Sequence, residues 1–126
     1  MKRIALASFA LLATTACATV PGGQRDNVNT RLGRTVNVDG VRVTPLKVLE
    51  DSRCPMEARC VWAGRVRLSV KVRHHGHDEV REIASDRPVS VGDGTLLLTG
   101  VLPPRSTQHE IAPREYRFSF RLERGL

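Results

Sequence analysis

A membrane-crossing helix needs about 20 consecutive apolar residues, and this sequence has no such run. Its longest apolar stretch, Ile4 to Ala16, covers thirteen positions and is interrupted by Ser8, Thr14 and Thr15. Lysine is nearly absent too, occurring only at positions 2, 47 and 71, so arginine carries most of the positive charge. No segment repeats apolar residues at the period of about 3.6 that marks an amphipathic helix. Catalytic signatures are also missing. Ser69 and Ser119 lack a G-x-S-x-G elbow, and there is no H-E-x-x-H, glycine-rich phosphate loop or isolated carboxylate pair. The expectation is a protein that is not an enzyme and requires no cofactor. Aromatic residues number five in 126, which leaves Trp62, Tyr116, Phe118 and Phe120 as the expected large core fillers.

The N-terminus reads "MKRIALASFALLATTA". A charged start, an apolar centre and a small-residue end make residues 1–16 an export signal. The following "LLATTAC" resembles a bacterial lipoprotein signal, which implies lipidation of Cys17, although Thr14 stands where leucine is usual. Ala16 and Ala18 also form an A-x-A cleavage site, whose use would release a soluble periplasmic protein. The expected location is therefore a membrane, most simply the outer one, with the domain facing the periplasm. Either route removes Cys17 from the thiol count and leaves Cys54 and Cys60 to pair in an oxidising compartment.

Residues 17–32 contain Pro21, Gly22 and Gly23 without periodicity and read as a lipidated start followed by a flexible tether. From about residue 33 to 126 the apolar period is two. Val36 and Val38, an Asp39-Gly40 turn, then Val41 and Val43 outline a hairpin. Pro45 shifts the phase to Leu46 and Val48, the mark of an edge strand or bulge. Val66, Leu68, Val70 and Val72 form the inward face of the clearest strand. A weaker strand spans Glu79–Ala84, a short one Val89–Val91, and "TLLLTGVL" reads as a strand buried on both faces. Tyr116, Phe118, Phe120 and Leu122 form the last inward face. The fold class expected is all-β, a small antiparallel sandwich or barrel of six to eight strands.

"CPMEARC" admits several chemistries. Zinc sites use further Cys or His ligands at short spacing, and redox centres favour C-x-x-C; neither pattern is present. A disulfide closing a seven-residue loop fits the exported compartment and would stabilise by about 2 to 2.5 kcal/mol. The loop would either cap the core over Trp62 or present Met56, Glu57 and Arg59 for contact, as an inhibitor of a secreted enzyme does. Lysozyme is a poor target for such an inhibitor, because two cationic proteins repel. Asp51-Ser52-Arg53-Cys54-Pro55 followed by Cys60-x-Trp62-x-Gly64 resembles a signature of small exported bacterial proteins, many with lipoprotein-type signals. The resemblance implies a disulfide-stapled β domain. Within it Asp51 would pair with Arg53 at the loop base, and Gly64 would let the backbone pass close to the indole.

Two other clusters merit attention. His74, His75 and His77, with Asp78 and Glu79, surround a glycine turn and have the composition of a periplasmic metal binder. Arg65, Arg67, Lys71 and Arg73 line one strand, and Arg117 and Arg121 line another; sharing a sheet would merge them into a basic patch. Formal charge is +7, and without Lys2 and Arg3 the remaining 18 basic and 13 acidic residues give about +5. That balance suits anionic envelope components, and an envelope protein is the other expected partner; nucleic acid suits the charge but not the compartment. The expected role is non-catalytic, binding or structural, at the cell envelope, with a membrane contact through the lipid anchor.

Overall fold

The strand pattern of Arg65–Arg73 has a direct structural outcome. Side chains on a strand alternate between faces, and in the computed structural model Val66, Leu68, Val70 and Val72 are all buried while their neighbours point away from the core. The structure describes residue 10 and residues 28–125. The export signal, Cys17 and the tether as far as residue 27 lie outside the described residues, apart from Ala10.

Eight strands follow in order: β1 (Val28–Thr30), β2 (Val36–Val38), β3 (Val41–Asp51), β4 (Val66–His74), β5 (His77–Ala84), β6 (Val89–Val91), β7 (Gly94–Leu102) and β8 (Arg117–Arg124). They form two antiparallel four-stranded sheets, β1-β8-β7-β6 and β2-β3-β4-β5. The architecture is a sandwich, with no closed barrel. Inward valines and leucines of both sheets meet Phe118 and Phe120 in a single core. Strand β1 falls within the stretch read as tether: Val28 and Thr30 pair with Phe120 and Phe118, so the folded domain begins five residues before position 33.

Turn chemistry sets the register. Asp39 and Gly40 both have positive φ (50° and 92°), as a two-residue turn matching strand twist requires, and Val38 consequently faces Val41. His75 and Gly76 repeat the arrangement with φ of 49° and 78°, pairing His74 with His77. At Pro45 the expected bulge is present, since the β3–β4 register slips between Pro45 and Lys47 and again between Val48 and Glu50. The slip exposes Leu46 rather than continuing the buried phase. Strand β7 also departs from its reading. Leu96 and Leu98 are buried, but Leu97 is only half-buried and Leu102 is exposed, because a two-layer sandwich covers one face of each sheet.

The strand directions give the sandwich two distinct ends. One carries the tight turns at Asp39-Gly40, His75-Gly76 and Gly92-Asp93. At the other, β3 runs out into the segment before β4, and β7 into the segment before β8.

Candidate functional site: the stapled loop end

Cys54 and Cys60 are joined by a disulfide, with Cα atoms 5.9 Å apart. The loop that it closes rests on a polar network. Arg53 donates from Nε and Nη2 to the two oxygens of Asp51, each at 2.8 Å, the bidentate geometry in which guanidinium and carboxylate match. Its Nη1 donates to the carbonyl of Val101 at 2.8 Å. Tyr116 donates its hydroxyl to Asp51 Oδ2 at 2.9 Å, and Arg105 Nη1 donates to the Arg53 carbonyl at 2.6 Å. Burial opposes charge on Asp51, but the hydrogen bonds from Arg53 and Tyr116 outweigh it, and the carboxyl stays below its ordinary value. Burial first, then the Asp51 carboxylate, pushes the Tyr116 phenol up to about 12.

A second set of bonds stitches the loop to the segment after β7. Met56 N–H donates to the Arg105 carbonyl at 2.9 Å. Glu57 accepts from the Ser106 hydroxyl at 2.6 Å and from the Thr107 N–H at 2.9 Å, which holds its carboxyl below the usual range. Glu57 is therefore tied down rather than offered to a partner. Gly64 has a backbone role: a Cβ there would lie 1.6 Å from the Ser52 carbonyl oxygen. The chain leaving the loop crosses the chain entering it at that point, where only glycine fits.

This frame presents apolar side chains to solvent. Trp62 is 80% exposed and Val61 90%, and Met56 and Leu102 are exposed as well. The expectation that Trp62 fills the core, with the loop capping it, is overturned. Burial alternation starts only at Val66, and the three residues between Trp62 and that strand carry the indole outside the sandwich. The start of the alternation was visible in the sequence. The role of the 105–111 segment was not, because nothing local signals that Arg105 and Ser106 brace a loop some fifty residues earlier.

Beside the loop lies a polar cleft of about 690 Å³, whose lining includes Asp51, Pro55, Arg105, His109 and Tyr116. Its chemistry is largely self-satisfied. Asp51 is committed to Arg53 and Tyr116, Ser106 to Glu57, and His109 Nε2 lies 3.1 Å from Glu115.

The two other predicted clusters fare differently. Arg65, Arg67, Lys71 and Arg73 lie on or beside β4, whereas Arg117 and Arg121 lie on β8 in the opposite sheet, so no single patch forms. Carboxylates also pair with most of these cations: Glu50 with Arg65 and Arg67, Glu82 with Arg67, Asp78 with Arg73, and Glu123 with Arg121. His74, His75 and His77 share the β4–β5 turn, with the rings of His74 and His75 3.9 Å apart. Among the described residues no three His, Cys, Asp or Glu side chains are placed to hold a metal ion. No protein-family model, curated protein or solved structure matches the chain.

Proposed function

We propose that this protein is a non-catalytic cell-envelope lipoprotein that binds an envelope protein through its stapled loop. The observation carrying the reading is the solvent exposure of Trp62 and Val61 on a loop fixed by the disulfide, by Gly64 and by the Asp51–Arg53–Tyr116 network. Exposed tryptophan is costly to leave in water and is the residue type that most often anchors an interface. A loop already held in shape loses little entropy on docking. The lipid anchor rests on the "LLATTAC" resemblance at Cys17.

The test places a photo-crosslinking residue at Val61 in intact cells and, as control, at Ser90 on β6, exposed on the other sheet. A discrete adduct from position 61 alone, lost on Trp62→Ala, is expected. Adducts shared by both positions, or none from position 61, would overturn the reading. Intact mass of the membrane-purified protein tests the anchor: an acylated Cys17 is expected, and a chain starting at Thr19 would make the protein soluble in the periplasm.

Inhibition of a secreted enzyme is the second reading of the same surface. It is favoured by Arg59, which is exposed beside Cys60 and makes no ion pair with a carboxylate among the described residues. If the crosslinked partner is an enzyme, Arg59→Ala should relieve its inhibition.

A further inference from the structure

We infer that the hollow among Arg31, Arg34 and Arg117 is a binding site for a phosphate ester. The inference is independent of the stapled loop. The hollow measures about 500 Å³ and is lined by these three arginines with Asn29 and Thr30. No acidic side chain lines it. Seven other arginines, Arg53, Arg65, Arg67, Arg73, Arg81, Arg121 and Arg124, each lie within ion-pair distance of a carboxylate. Arg31, Arg34 and Arg117 have no such partner among the described residues.

Local structure holds the three together at an electrostatic cost. Thr30 pairs with Phe118, and continuing that register by one residue sets Arg31 against Arg117. Like charges opposed across neighbouring strands are destabilising. The turn carrying Arg31 and Arg34 is nevertheless pinned. Arg34 N–H donates to the Arg31 carbonyl at 3.1 Å, Gly33 N–H to the Pro45 carbonyl at 2.7 Å, and the Thr30 hydroxyl to the Arg34 carbonyl at 2.8 Å. Gly33, with φ of 77°, permits the turn's left-handed step.

An anion between the guanidinium groups removes the repulsion and meets donors suited to bidentate oxyanion contacts. Asn29 adds to them, since its Oδ1 accepts from Ser119 and its Nδ2 remains a donor. The hollow exceeds a bare phosphate in size, leaving room for the group that the phosphate esterifies. Its source is either a soluble phosphate ester or a lipid head group.

Calorimetric titration of the mature protein in low-salt buffer, with glycerol 3-phosphate and with short-chain phosphatidylglycerol, tests the site. Saturable binding is expected, weakened about tenfold or more by Arg34→Gln and by Arg117→Gln. Arg42→Gln, an exposed change on β3, should leave it unaltered. Tighter binding of the short-chain lipid assigns a head group, and tighter glycerol 3-phosphate a soluble ester; each supports the site. Without phosphate, Arg117→Gln should raise Tm by relieving repulsion. A non-saturating response, or equal weakening by Arg42→Gln, would overturn the inference.

Discussion

Phe118 and Trp62 stand close to strands of the same alternating kind, yet Phe118 is fully buried and Trp62 is 80% exposed. Phe118 lies within β8, where the pleat aims every second side chain inward, and stacks on Tyr116 with ring centroids 5.6 Å apart. Trp62 precedes β4 by four residues, in a segment whose path is dictated by a disulfide and by backbone crossing at Gly64. One region gains stability by removing apolar surface from water. The other spends covalent and ionic restraint on keeping apolar surface in water. The same residue class thus fills the core in one place and is held in solvent in the other.

The contrast can be broken first at its stable pole. Phe118→Ala should cost about 3 to 5 kcal/mol, read as a lowered denaturation midpoint with crosslinking at position 61 retained below the transition. Asp51→Asn should cost about 1.5 to 3 kcal/mol near neutral pH, by removing the carboxylate that Arg53 and Tyr116 share. The carboxyl of Asp51 is depressed in the folded state, so its contribution is complete above the unfolded value of about 4. It disappears as pH falls through the lower folded value. The gap between wild type and Asp51→Asn should therefore narrow below about pH 4; a gap constant with pH would show that the charge is not what matters. Replacing Cys54 and Cys60 by serine should cost about 2 to 2.5 kcal/mol and weaken partner capture more than Phe118→Ala does. Trp62→Ala should change stability by less than about 0.5 kcal/mol while abolishing the position-61 adduct. A large loss of stability there would return the indole to a structural role.

How much of this was legible follows from the range of the forces involved. The strands of β4 and β8 were readable because a period of two is a local property, and the hairpins at Asp39-Gly40 and His75-Gly76 because turn chemistry is local as well. The disulfide was readable from the cysteine count together with the export that the N-terminal pattern leads one to expect. The direction in which the loop faces was not, since it depends on Arg53 reaching Val101, 48 residues away, and on Tyr116 reaching Asp51, 65 residues away. The basic patch failed for a related reason. Alternation places Arg117 and Arg67 on outward faces, but only topology assigns those faces to different sheets. The hollow at Arg31, Arg34 and Arg117 arises in turn from β1 pairing with β8, in a segment that read as tether.

That pairing also fixes a direction. Because Val28 lies opposite Phe120 and Thr30 opposite Phe118, the chain enters β1 from the end that carries the tight turns and travels toward the loop end. A lipid at Cys17, if present, would be joined to the domain through the start of β1 and not through the stapled loop. Val28 lies opposite Phe120, three residues or about 10 Å at the usual strand rise from the Arg117 end of β8. The ten residues between Cys17 and Val28 extend at most about 35 Å. Together they would set a reach of roughly 45 Å from such an anchor to the loop end. A partner taken up by the stapled loop of such an anchored chain would have to come within that reach of the membrane.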